Sequence, residues 1–532
     1  MEEFDYVIVG AGSAGCVLAD RLSASGRHSV LLLEAGGAGR SPWVRVPLGY
    51  GHLFHHPRMN WRFRSEPDAG LGGRDLYWPR GRLLGGSSAI NAMVYCRGLP
   101  EDYEDWAAAG NPGWGAAETA AAFERVERRV GADGRATGDG ALWVTDCSGE
   151  HHPVSRRYLD AAREAGLAEG DTVTGEGAGP YHVTTRHGRR CSSADAFLAP
   201  ARRRRNLVVR TGAEATGLVF DGARAVAVRY RKGGADRVAR CRAEILLAAG
   251  AVKSPQLLQL SGIGPGALLA GMGVPVRVDN PAVGGGLQDH LAVSYIFRAT
   301  EATLNQALGR RAGQLGAALR YLLTRRGPLS LSVNQMGGLL RGAPGAARAG
   351  VQLYFNPLSY TTVLTGRRPL LKPDPWPGFC LGFNPCRPTS RGRIDIASPD
   401  PAQAPRIRPN YLSTNEDIAQ VVEGARLVER LLGTRALRGL VAGAESFTPE
   451  GAGDGAIVED FRARASTVFH PCGTCRMAPR EAGGVVDPAL RVWGVEGLRV
   501  VDASVFPNIT SANTNAPAIM TATRAADMIL AG

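Results

Sequence analysis

Gly10-Ala11-Gly12-Ser13-Ala14-Gly15 stands between an apolar run, Phe4–Val9, and a stretch of helical spacing, Cys16–Ser25. Within that stretch Val17, Leu18 and Leu22 fall on one side. Ser29–Leu33 follows as a second apolar strand and leads into Glu34. The result is a β-α-β unit of about 30 residues. Gly10 permits the tight turn, Gly12 lets the backbone approach a pyrophosphate, and Gly15 lets helix and strand pack closely. The helix start offers free N–H groups and its positive dipole end to phosphate. Glu34 can bind ribose hydroxyls, and its charge disfavours a 2′-phosphate. The loop predicts α/β dinucleotide binding. Alone it does not separate FAD from NAD, and a purely structural turn would read the same.

At 532 residues the chain is too long for one core, so two or three domains are expected. Its 44% hydrophobic and 21% charged residues fit a globular protein. The formal charge of +13 is carried almost wholly by arginine, with lysine only at Lys232, Lys253 and Lys372. The tight basic run Arg202–Arg205 has no interleaved aromatics, so a solvated surface is expected rather than a nucleic-acid face. The nine cysteines are odd in number and irregularly spaced, which suits reduced thiols. No leader-like segment and no apolar run of membrane-spanning length is seen, so a cytoplasmic protein is expected. Peripheral membrane contact stays open.

Residues 36–115 are rich in Gly, Pro, Trp and Arg and read as loops covering a ligand. Helices are predicted at Ala116–Arg129, Tyr158–Ala165, Leu315–Leu323 and Pro517–Leu530. Strand pairs are predicted for Leu207–Val209 with Ala215–Phe220 and for Ala225–Arg231 with Arg237–Ala249. Gln352–Asn356, Phe379–Phe383, Arg393–Ala397 and Leu498–Val501 also read as strands. The stretch 291–460 reads as a second domain.

Several distant segments resemble the glucose–methanol–choline (GMC) oxidoreductases. Gly81-Arg-Leu-Leu-Gly-Gly-Ser-Ser-Ala-Ile-Asn91 is similar to the family's first signature, and Gly250–Gly264 to its second. Val283–His290, Phe469–Met477, Val501–Ser504 and Asn513-Thr514-Asn515 follow in the family's order. The likeness runs from residue 5 to about 530 and leans toward the choline dehydrogenase and bacterial alcohol dehydrogenase branch. It implies an α/β fold with a Rossmann-like FAD domain assembled from residues 1–155, 191–290 and 461–532. An inserted α+β substrate domain, residues 156–190 and 291–460, would carry a mostly antiparallel sheet. It implies FAD contacts from Gly10, Gly12, Ser13, Ala14, Gly15, Glu34, Ala35, Arg82, Gly86, Ser87 and Asn91-Ala92-Met93-Val94. Ala215 is expected at the adenine, Asp502 and Ala503 at the ribityl–phosphate region, and Asn513, Thr514 and Asn515 toward the flavin. Members with covalent FAD carry a histidine just before the signature asparagine. Ile90 stands there, so non-covalent FAD is expected.

The resemblance implies oxidation of a primary alcohol to the aldehyde. A base removes the hydroxyl proton while flavin N5 takes the hydride. His470 is the expected base, since a neutral imidazole can accept a proton near pH 7. Asn515 is the expected second member of the pair, holding the substrate oxygen. The other nine histidines read as structural. Electrons would pass to a quinone or another carrier. Oxygen as acceptor, with Val468 near the flavin, is an alternative, and a GMC-fold lyase or photodecarboxylase is one of another class. Trp61, Tyr354 and Phe383 are candidates to line the pocket, as a choline-like cation would need. Cys472 and Cys475 read as packing residues, because no second Cys/His pair with zinc spacing exists, and no metal is expected.

Overall fold

The computed structural model describes residues 2–361 and 372–531. The β-α-β unit forms as the apolar periodicity requires. Strands Glu2–Val9 and Val30–Glu34 pair in parallel, joined by the helix Ser13–Ser23. Val30–Glu34 is buried throughout, as a parallel strand covered on both faces should be. A Cβ at Gly15 would fall 1.8 Å from the Gly10 carbonyl oxygen, so helix and loop meet at a distance only glycine tolerates.

The sheet runs in the order Leu207–Thr211, Val30–Glu34, Glu2–Val9, Ala235–Leu247, Arg224–Lys232, Ala213–Asp221. Leu498–Val500 adds in parallel to Ala235–Leu247. One expected pairing is corrected here. Leu207–Thr211 pairs in parallel with Val30–Glu34 rather than as a hairpin with the next strand. The expected hairpin of Ala225–Arg231 with the following strand forms, turned at Gly233-Gly234, and a second one turned at Asp221-Gly222 joins Ala213–Asp221 to Arg224–Lys232, both glycine turns with positive φ.

A second sheet is antiparallel: Val441–Ala444, Leu291–Ala299, Gly378–Pro385, Val351–Asn356, Met336–Leu340, Gly177–Pro180. The helix Asn415–Leu432 packs on it and was not anticipated from sequence. The fold is thus a mixed α/β architecture with a Rossmann-like sheet beside an antiparallel one. Among residues 36–115, expected to be loops, Pro100–Ala108 is a helix. Ala116–Val126 ends as a helix three residues early, because Glu127–Val130 pairs as a strand with Leu142–Asp146. Among the described residues no helix is long and apolar enough to cross a membrane.

Candidate active site

One cavity of about 420 Å³ runs from the glycine loop to His470. It is lined by Gly10, Gly12, Ser13, Ala14, Glu34, Ala35, Gly86, Ser87, Asn91, Ala92, Met93, Val94 and Ala215. Asp502, Ala503, Asn513, Thr514, Asn515 and His470 line it as well. Two expected contacts stand outside it. Gly15 is spent on helix packing. Arg82 turns away: its guanidinium stacks 4.4 Å from the Trp61 ring and lies 3.3 Å from Glu214.

The glycine end fits a dinucleotide. The helix Ser13–Ser23 starts at Gly12 with no side-chain cap and no acidic residue in its first turn, so its N–H groups stay free for phosphate. A Cβ at Gly12 would meet nothing nearer than 4.0 Å and would fill the space a pyrophosphate needs. Gly86 comes so close to Gly12 that a Cβ there would sit 2.7 Å from its Cα. Glu34 accepts from the Ala11 and Gly36 N–H groups at 2.9 and 2.8 Å. Burial nevertheless pushes its carboxyl up to about 7. Asp502 accepts from Gly250 N–H and the Ser254 hydroxyl at 2.8 and 2.6 Å, tying two distant segments together beneath the cavity. Its carboxyl is also raised by burial.

The other end is built by a break in a β-ladder. Leu291 and Ala292 pair antiparallel with Thr467 and Ser466. The ladder resumes where Gln288 pairs with Cys472. Two residues, Asp289 and His290, therefore face four, Val468–Pro471, and the longer side bulges into the cavity. Phe469 takes a left-handed φ of 70°, a strained state for an aromatic residue. Four hydrogen bonds hold the bulge. Asp289 Oδ1 accepts from His470 N–H at 2.7 Å, and Asp289 Oδ2 accepts from Thr467 and Tyr411 hydroxyls. The half-buried Arg80 guanidinium donates to the Phe469 carbonyl at 2.6 Å. Burial pushes Asp289 up to about 6 and Arg80 down to about 10.

His470 is 7% exposed and meets two partners. Its Nδ1 lies 2.9 Å from His290 Nδ1, and its Nε2 lies 3.0 Å from Asn513 Nδ2. His290 Nε2 faces the Cys386 carbonyl at 2.8 Å, so that nitrogen must carry the proton and donate. His290 Nδ1 is then an acceptor, and His470 Nδ1 must be the donor to it. The lone pair of His470 is thereby fixed on Nε2, toward the cavity. The opposite side of the network agrees. Tyr354 donates to Gln352 Oε1 at 2.7 Å, and Gln352 Nε2 donates to Asn513 Oδ1 at 3.2 Å. That turns the Asn513 NH₂ toward His470 Nε2. Burial, then the neighbouring His290, then the Arg80 charge hold His470 well below the ordinary imidazole value.

The pairing expected from sequence is corrected by two residues. Asn515 does not meet His470. Its Oδ1 accepts from the Ser13 hydroxyl at 2.7 Å, at the glycine-loop end, where it opens the helix Asn515–Ala531. Asn513 holds the place beside the histidine. His290, read as structural, is the second partner, and its place at the end of the family-like segment Val283–His290 was the signal that could have found it. Gln352, Tyr354 and Asn356 alternate along one strand and so share one face. Tyr354 and Trp61 line the cavity as expected, whereas Phe383 is buried among Tyr295 and Phe461 in the core of the antiparallel sheet. Cys472 and Cys475 are buried free thiols, and burial raises both. Among the described residues no cluster of metal-ligating side chains exists.

Residues 4–292 match the N-terminal part of the GMC oxidoreductases, and residues 388–522 the C-terminal part. The chain belongs to the GMC oxidoreductases. This GMC chain is 40% identical to an alcohol dehydrogenase [acceptor] of Pseudomonas putida, over 99% of this chain and 96% of that one. It is equally 40% identical to an oxygen-dependent choline dehydrogenase of Photobacterium profundum, over 99% and 93%. The crystal structure of pyridoxine 4-oxidase from Mesorbium loti superposes with a TM-score of 0.86 at 30% identity, covering 98% of each chain. A formate oxidase of Aspergillus oryzae, whose structure concerns FAD modification, shares the fold with a TM-score of 0.91 at 23% identity, over 100% and 98%.

Proposed function

We propose that this GMC oxidoreductase uses non-covalent FAD to oxidise a neutral primary alcohol to its aldehyde. The observation that carries the reading is the lone pair held on His470 Nε2 at the end of the cavity opposite the pyrophosphate cradle. Gly12, the helix N-terminus behind it and Glu34 would hold the phosphates and ribose. Asn91–Val94 with Asn513 and Thr514 would flank the ring system, and Ile90 offers no side chain for a covalent bond. FAD, when bound, supplies the acceptor for the hydride.

The protein's own residues do the rest. The substrate hydroxyl would sit on the cavity side of this pair, within reach of both Asn513 Nδ2 and His470 Nε2, and replace the hydrogen bond between them. Asn513 donates to its oxygen and His470 accepts its proton at Nε2. The new imidazolium keeps its Nδ1–H bond to His290, so the ring does not rotate as charge appears. Burial keeps water from His470.

The lining argues against a quaternary ammonium. Trp61 carries Arg82 on its ring at 4.4 Å and Lys253 at 4.6 Å, so it is already occupied by cations. The carboxylates among the described lining residues, Glu34, Glu214 and Asp502, are all engaged with protein groups. A neutral alcohol requires no such counter-charge. The test is an anaerobic panel followed by flavin absorbance. Neutral primary alcohols should bleach the flavin and choline should not; bleaching by choline alone would overturn the substrate assignment. Bleaching by none would overturn the reaction. We assign the electrons to a quinone or another carrier rather than oxygen, in line with the acceptor-linked relative. Stoichiometric peroxide under air would reverse that choice.

A further inference from the structure

The helix Arg311–Thr324 exposes Leu315, Leu319, Leu322 and Leu323 at 72, 56, 64 and 76%. At 100° per residue these four fall within about 100° of arc, so they form one apolar stripe facing out. Four of the seven large hydrophobic residues exposed among the described residues lie on this one helix. Scattered leucines need no explanation, whereas a contiguous stripe does. Its surroundings are basic. Residues 310–326 contain five arginines and no acidic residue. Arg310 and Arg311 are exposed and form no ion pair among the described residues. The nearby acid, Glu150, is taken by Arg320 at 2.8 Å and Arg326 at 3.9 Å.

The same charge continues next door. The Arg325 carbonyl abuts Gly188, whose hairpin exposes Arg186 and Arg189. The short helix Pro42–Arg45 packs on that hairpin and presents Trp43, 40% exposed. Leucines ringed by arginines with a half-exposed tryptophan at the edge match the chemistry of an anionic headgroup layer. The inner side of the helix completes the picture. Ala317 packs with Tyr50, Leu304, Leu308 and Val333, and Tyr50 and Val333 also line the cavity.

We propose that the helix Arg311–Thr324 docks this chain on an anionic phospholipid surface, leucines in the headgroup layer and arginines on lipid phosphates. Only the thickness of this helix, about 10 Å, then separates the docked bilayer from Tyr50 and Val333 of the cavity wall. The surface stands independently of the substrate assignment.

The test is flotation of the FAD-loaded protein with vesicles of phosphatidylcholine containing phosphatidylglycerol, against phosphatidylcholine alone. The wild type should float with the anionic vesicles, and added salt should weaken this. L319E/L323E should lose roughly tenfold in partitioning per leucine, since burying one is worth at least that factor. Its FAD content and thermal midpoint should not change. R310Q/R311Q should weaken binding to the anionic vesicles only. Failure of the wild type to float, or flotation of L319E/L323E at the wild-type level, would overturn the proposal. A gel-filtration dimer that L319E/L323E dissolves, with no flotation, would assign the stripe to a second copy instead.

Discussion

His290 Nδ1 lies 2.9 Å from His470 Nδ1, and only one of these two nitrogens carries a proton. Because the Cys386 carbonyl claims the other proton of His290, the shared one belongs to His470. His290→Ala removes the acceptor and frees His470 to move its proton to Nε2, where it blocks base function. The rate of anaerobic flavin reduction should fall about ten- to a hundredfold, the worth of one buried hydrogen bond. FAD content should be unchanged. An unaltered rate would show that the tautomer is not set by His290.

Asn513 and Asn515 should separate cleanly. Asn513→Ala removes the donor beside His470 and should slow flavin reduction while FAD stays bound. Asn515→Ala removes the acceptor for the Ser13 hydroxyl and should weaken FAD retention more than it slows reduction in the loaded enzyme. The measurement is FAD content by absorbance beside single-turnover rate for each variant.

Gln352 acts through Asn513 as a positioning residue. Gln352→Leu should cost about three- to tenfold in kcat/KM, the range of one neutral hydrogen bond. Gln352→Glu keeps the shape and the bond from Tyr354 but cannot donate to Asn513. It should therefore fail to rescue the rate, whereas a mere packing role would be rescued by it.

The pH dependence follows from the depressed imidazoles. His470 is held well below the ordinary value near 6.5, so it remains an unprotonated base at pH 6.5 and the acidic limb of kcat/KM should lie lower. Stability moves in the same direction. His290 is pushed down to about 4 by burial, while its unfolded imidazole titrates near 6.5. Below pH 6.5 the unfolded chain binds more protons than the folded one. The contribution is complete above 6.5 and is lost as pH falls toward about 4. The thermal midpoint should drop across that window.

How much of this was legible in the sequence depends on what sets each feature. The β-α-β unit was readable because burial and glycine spacing act locally. The pairing of Leu207–Thr211 was not, since a hairpin and a parallel addition to Val30–Glu34 use the same apolar strand. The histidine was legible in the motif around Pro471. Its partner was misplaced by two residues, because Asn513 and Asn515 are alike and only the turn before the helix Asn515–Ala531 decides which faces which end. His290 stood in a family-like segment, but its contact with His470 could not be read there, since it comes from a ladder register linking residues 180 apart in sequence. The same register, broken at Phe469, aims His470 into the cavity.

The central claim is that His470 Nε2 takes the alcohol proton. It is tested most directly by anaerobic stopped-flow reduction of FAD-loaded His470→Ala with a primary alcohol that reduces the wild type. The account predicts a fall of roughly 10²- to 10⁴-fold with the flavin still bound. A rate close to that of the wild type, in protein retaining its full FAD, would contradict it.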